Sequence, residues 1–201
     1  MSTRTKTNVV TDFRRSQILE AARVTVARHG LAKTTVDHIA RAAKVAKGTI
    51  YLYYRSKDAI VRDALDEGLA ALEAATVPAI TAPGTVEERL HRFLSGMLGH
   101  FDRERDFVEL CQLELGADMR RHARQTFGRI YEAQTRAWET VLASAEGRKA
   151  APGPNPRHTA LVLVGLAHGL AVQRLRGWTD LSLEAEAAHA TAMLWKGLRR
   201  R

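Results

Sequence analysis

Cysteine is nearly absent: Cys111 is the only one in 201 residues. That excludes an internal disulfide and fits a reducing compartment. Long apolar runs are absent too. The longest candidate, ALVLVGLAHGLAV at 160–172, is bounded by Arg157 and Arg174 and falls short of the roughly 18–20 residues that span a bilayer. The opening MSTRTKTNVVTDFRR is polar, without the apolar stretch of a secretory signal. The expectation is a cytoplasmic protein with no membrane partner. Period-two alternation, the mark of a half-buried strand, is nowhere convincing.

The usual catalytic patterns are missing as well. A single cysteine without a nearby His or Asn motif offers no activated nucleophile. The eight histidines form no HExxH or other metal-ligand spacing. GLAHGL at 165–170 lacks the spacing of a dinucleotide loop and falls in the middle of a helical pattern. The chain therefore reads as a non-enzyme, with no catalytic residue, metal or cofactor expected.

What the chain does have is positive charge, and it is unevenly placed. Residues 1–57 hold twelve Lys/Arg against three acids, while residues 58–201 hold nineteen of each. The whole excess of +9 sits in the first quarter, so a basic module is joined to a neutral body. That asymmetry points to a polyanion met by one end of the molecule.

Helical periodicity runs almost throughout. Ile18, Ala22 and Val26 form an i, i+4, i+8 stripe that stops at Gly30. A short helix is expected from Thr34/Thr35, a third from about Ala46 to Tyr53, and a longer one capped by Ser56 that runs to Val77 before Pro78. Val86 to Phe101 keeps the helical period, Phe107 to Leu115 makes another segment, and a long helix marked by Phe127 to Leu142 should end near Gly147. GRKAAPGPNP at 147–156 reads as a loop. Helices at 157–176 and 183–198 follow, the last capped by Ser182. The fold class is all-α with about nine helices. A basic three-helix domain (1–57) would precede a larger helical domain (58–201). The tail with Arg4 and Lys6 reads as disordered, a basic arm reaching a minor groove being the competing reading.

TTVDHIARAAKVAKGTIYLYY (34–54) has the layout of a helix-turn-helix. Val36, Ile39 and Ala40 face inward, Val45 closes the turn, and Ile50 and Tyr54 pack from the second helix. The outward face of that helix then carries Lys47, Thr49, Tyr51 and Tyr53. Three of the four tyrosines of the chain fall at 51–54. Lysine suits a phosphate, small Gly48 and Thr49 allow close approach to a groove, and tyrosine offers a hydroxyl and a flat apolar face.

The run GLAKTTVDHIARAAKVAKGTIYLYYRSKDAIV (30–61), with ILEAA upstream, resembles the DNA-binding signature of the TetR family of transcriptional regulators. The resemblance covers residues 14–62. It implies phosphate contacts from Thr35, Tyr53 and Lys57, groove contacts from Lys47, Gly48, Thr49 and Tyr51, and Leu52 at the groove edge. Tyr54 takes a core position. Three residues depart from the pattern: Lys44 where a turn glycine is customary, Ala46 where Ser or Thr caps the recognition helix, and Val26 where Phe is common. A non-glycine residue in the left-handed turn costs about 1–2 kcal/mol. Lys44 could add a phosphate contact there.

For the body, the apolar helix at 157–176, with Leu161, Gly165 and Gly169, and the stripe Leu183, Ala187, Ala190, Leu194 and Leu198 are the candidate dimer surface. The resemblance implies a four-helix bundle with the partner's pair. Phe93, Met97, Phe101, Leu110, Cys111, Leu115, Phe127, Tyr131 and Trp138 are candidate lining for an effector pocket, with Gln112, Gln134 and His168 as polar handles. Their chemistry suits a small, largely apolar effector. The reading is a homodimeric, ligand-responsive regulator, most simply a repressor, on a double-stranded operator. A sequence-tolerant architectural DNA-binding protein is the alternative, and a helical enzyme or carrier with a relic head is the third.

Overall fold

The computed structural model describes residues 6–105, 107–108, 115–152 and 155–199, with side chains from residue 10 onward. Among these residues the chain is all-α, with no strand. Its helices are α1 (Lys6–His29), α2 (Val36–Ala42), α3 (Lys47–Tyr53), α4 (Lys57–Thr81), α5 (Val86–Arg103), α6 (Ala117–Ala143), α7 (Ala145–Ala150), α8 (Pro156–Leu175) and α9 (Leu183–Leu198). None is long and apolar enough to cross a membrane. Two compact units emerge. One holds the described residues up to Gly68 with 107–108 and 115–123, and the other Leu69–Arg105 with the described residues from Arg124.

The N-terminal unit is built on the small apolar stripe of α1. Ile18, Ala22 and Val26 are buried with Ile39 and Ala40 of α2, Ile50 of α3 and Ile60, Val61 and Ala64 of α4. α1 ends at Gly30, whose φ of 78° is a conformation open to glycine at little cost. Its start corrects the reading of the tail: the helix already includes Lys6, while Arg4 lies outside the described residues.

In the second unit α5 presents Leu90, Phe93, Leu94, Met97 and Leu98 to the interior and packs against α8 and α9. Gly96 lets its backbone meet the carbonyl of Ala75 in α4, a place where a Cβ has no room. Arg174 of α8 ties the layers together, binding Asp102 at 2.7 Å and Glu186 of α9 at 2.7 Å. Its hydrogen bond holds the Asp102 carboxyl below the ordinary carboxylate range.

Three helix boundaries differ from expectation. α4 runs through Pro78 to Thr81. A proline removes one amide donor and crowds the preceding turn, but two arginines hold the carbonyls around this end. Arg89 donates to Ile80 (2.8 Å) and Gly84 (2.7 Å), and Arg92 donates to Pro83 (3.0 Å). α6 starts at Ala117 rather than near Phe127; ADMRRHARQT has good helix formers but no apolar stripe. α6 then stops at Ala143, because Ser144 caps a separate short helix, its Oγ accepting from the Gly147 amide at 3.0 Å. Residues 147–150 are therefore helical, not loop, and buried Gly147 lies against the Val141 carbonyl. Of the segment expected at Phe107–Leu115, residues 109–114 lie outside the described residues.

Candidate nucleic-acid interface and effector core

The geometry of the helix-turn-helix begins with its caps. Thr35 caps α2, its Oγ1 accepting from the His38 amide at 3.2 Å. α2 closes in a Schellman turn: Lys44 donates to the Arg41 carbonyl (3.1 Å) and Val45 to the Ala40 carbonyl (3.0 Å). This turn places Lys44 at φ 54°, the only non-glycine residue with positive φ among those described. Gln17 of α1 braces it by donating to the Ala43 carbonyl at 2.9 Å. Ala46 then starts α3 with no side-chain cap.

Of the seven residues of α3, Ile50 alone is buried. Lys47 and Gly48 are exposed, Thr49 and Tyr53 half-buried, Tyr51 is 50% exposed and Leu52 82%. An added Cβ at Gly48 would meet nothing within 4 Å. Tyr54 goes the other way: it is buried, with the Arg15 guanidinium 5.2 Å over its ring and Arg15 held by Asp63 at 2.6 Å. Burial pushes the Tyr54 phenol above its ordinary pKa. Lys57 donates to the Leu31 carbonyl at 2.8 Å, tying the start of α4 to the loop before α2.

One partner was missed by sequence reasoning. Asp37 lies 2.8 Å from the Lys47 ammonium. The two stand ten residues apart across the turn, and no helical spacing links them. A basic cleft of about 380 Å³ also opens between α1 and α2, lined by Thr25, Arg28, His29, His38 and Arg41 among others.

The expected effector side chains divide. Phe93, Met97 and Trp138 are fully buried, Phe93 and Trp138 meeting edge to face at 5.8 Å; Phe101 is buried against His100. Gln134 donates to Thr76 Oγ1 at 2.8 Å, and His168 Nε2 lies 2.9 Å from Gln134 Oε1. Thr76 sends its own proton to the Leu72 carbonyl at 2.7 Å. The amide oxygen of Gln134 therefore accepts, and Nε2 of His168 carries the proton. Phe127 and Tyr131 flank the His168 ring at 4.8 and 5.3 Å. Burial pushes the imidazole down to about 4, so it is neutral at physiological pH. Thr76 is the member of this chain that the sequence did not single out. Leu115 is buried and belongs to the N-terminal unit. Leu110, Cys111 and Gln112 lie outside the described residues.

The expected pairing face changes composition. On α8 Leu161, Val162, Leu166 and Val172 are exposed together with Gly165 and Gly169. Gly165 leaves space for the Tyr131 hydroxyl, which donates to the Leu161 carbonyl at 3.3 Å. On α9 Leu183, Leu194 and Leu198 are half-buried, but Ala187 and Ala190 are turned inward, at 0% and 3% exposure. α9 packs on α5 of the same chain, so the stripe splits by helical phase, and Met193 is a large apolar residue left exposed.

Comparison with known proteins fits this geometry. The family described as bacterial regulatory proteins, tetR family, matches at residues 18–64. The fatty acid metabolism regulator protein of Bacillus subtilis is 30% identical over 99 residues, 49% of this chain and 51% of that protein. This match thus spans about half of that relative's length. The fatty acid degradation regulator FadR from Bacillus halodurans shares the fold with a TM-score of 0.72 at 20% identity, over 92% of this chain and 99% of its own. FadR from Bacillus subtilis, crystallised with stearoyl-CoA, has a TM-score of 0.71 at 20% identity, over 90% of this chain and 98% of its own.

Proposed function

Residues 18–64 place this chain in the tetR family of bacterial regulatory proteins, and from that premise we propose that it is a ligand-responsive, DNA-binding transcriptional repressor. It binds a palindromic operator as a homodimer and is released by a small, largely apolar effector. The observation that carries this reading is α3, a seven-residue helix that buries only Ile50 and leaves Leu52 and Tyr51 in solvent beside the basic end of the chain. Such a surface has no role in holding the head together.

In each subunit α3 enters a major groove. Lys47, Gly48, Thr49 and Tyr51 meet base edges and sugars, and Leu52 sits at the rim. Thr35, Tyr53 and Lys57 hold phosphates, and Lys44 adds another. Residues 1–57 are the DNA-binding part, and 58–201 take effector and partner. The exposed stripe of α8, with Leu183, Leu194 and Leu198 of α9, pairs two subunits, so that two heads read two half-sites.

The effector meets the apolar side chains around Phe93 and Trp138, with Gln134 and His168 as polar handles. A long acyl chain, the apolar part of a fatty acyl-coenzyme A, is the first candidate to lie among these side chains, because FadR from Bacillus subtilis, which has this fold, is seen with stearoyl-CoA. α4 gives the coupling: it is one continuous helix that starts in the N-terminal unit and ends in the other. A ligand that favours one position of α4 alters the spacing of the heads, and shifts the protein toward the form that cannot span both half-sites.

The test is selection of bound duplexes from a random pool, repeated with stearoyl-CoA present. A palindromic site, lost on ligand addition, is the expected result. Binding without any enriched site would instead favour the architectural reading. A site retained with every acyl-CoA tried would remove this effector class.

A further inference from the structure

The lysine of α3 is already occupied. Lys47 Nζ lies 2.8 Å from Asp37 Oδ2, with the two side chains 50% and 53% exposed. The hydrogen bond to Asp37, then its charge, holds the ammonium protonated more firmly than in an ordinary lysine. Asp37 is the only acid between Glu20 and Asp58. The basic stretch thus carries one carboxylate near the turn, and that carboxylate is aimed at the recognition helix. Its place in the first turn of α2 is favourable for a negative charge. Stabilising α2 does not require it to reach Lys47, ten residues along the chain.

We propose that Asp37 competes with DNA phosphate for Lys47 and so lowers the sequence-independent part of DNA affinity. This rests on the reading that α3 meets DNA. An exposed ion pair is weak enough to be exchanged, so a phosphate can displace the carboxylate. The exchange has two costs. The Asp37–Lys47 bond is given up, and the carboxylate is left facing the phosphate backbone. A head that must make this exchange gains less from backbone attraction alone, and depends more on the other contacts of α3 to stay bound.

The experiment uses the full chain and a labelled duplex of random sequence, with affinity read by fluorescence anisotropy across a salt series. Wild type, Asp37→Asn, Lys47→Gln and the double variant are compared, each checked by thermal melting. If Asp37→Asn does not fold, Asp37→Ser replaces it in both backgrounds. Asp37→Asn is expected to tighten binding roughly two- to fivefold, the scale of an exposed pair. It should also steepen the slope of log affinity against log salt by up to about 0.9. In the Lys47→Gln background the same substitution should give no gain.

An unchanged or weakened Asp37→Asn protein overturns the inference, since Asp37 would then be inert or would position Lys47. An equal gain with and without Lys47 overturns it too, because Asp37 would be acting as a diffuse charge. Absence of any salt-dependent binding by wild type removes the DNA-binding reading itself, and the inference with it.

Discussion

α3 and α5 show two ways in which a helix is specified. α5 carries nine buried residues in eighteen and begins with a complete capping box, Thr85 and Glu88 each binding the other's backbone. Local signals and packing agree there. α3 has one buried residue in seven, no side-chain cap, and a lysine at positive φ just before it. A helix that short is not stable alone; the buried Ile50, the buried Tyr54 after it and the turn of α2 hold its shape. α5 thus places its apolar side chains inside, while α3 leaves Tyr51 and Leu52 out and has a strained residue just before it. That division is expected where one surface has a task besides folding.

The comparison breaks first at Trp138. It is fully buried against Phe93, and Trp138→Ala should lower unfolding free energy by about 3–5 kcal/mol in urea titration. A loss under about 1 kcal/mol would mean that the body is not the well-packed partner in the comparison.

The next largest effect is a dependence on pH. Burial, with a smaller effect from Arg103, pushes His100 from 6.5 down to about 4. As pH falls the unfolded chain takes the proton first, so this stability is complete above about 6.5 and is lost towards 4, amounting to about 3 kcal/mol. His168 is shifted in the same direction by burial. Urea midpoints at pH 7.5 and 5 should therefore differ clearly in wild type, and less in His100→Gln. An equal difference in both proteins would remove His100 from the account.

Substitutions in the head should act in the opposite direction, raising stability. Lys44→Gly relieves a left-handed lysine and should stabilise by about 1–2 kcal/mol, read as a higher melting temperature. It should also flatten the salt slope of operator binding by about 1 if Lys44 meets a phosphate. A higher melting temperature with an unchanged slope would leave the strain argument standing and remove the contact. The smallest expected change is Ala46→Ser, which supplies the missing cap of α3 and should add about 0.5–1 kcal/mol. If it adds nothing, α3 is already fixed by its packing.

Much of the head was legible in the sequence because each of its signals is local. Gly30 marked the end of α1, Thr34/Thr35 the start of α2, and the phase of Ile50 and Tyr54 told the inward side of α3 from the outward one. Lys44 and Ala46 stood out as strained and uncapped because they depart from the pattern of the family the sequence resembles. What was not legible depends on distance. The Asp37–Lys47 pair crosses a turn, the Thr76–Gln134–His168 chain joins three helices, and the arginines beyond Pro78 belong to the following helix. Periodicity also misjudged α6, whose polar first turns carry no stripe, and α9, where one apolar stripe contains residues that face in and residues that face out.

The central claim is that the outward face of α3 reads DNA. The most direct measurement is repetition of the duplex selection with Lys47→Gln/Tyr51→Ala, a protein whose melting temperature should match wild type because neither side chain is in the core. The account predicts that the wild-type operator is no longer enriched and that its affinity falls at least tenfold, the scale of losing more than one good contact. Enrichment of the same site with undiminished affinity would contradict it.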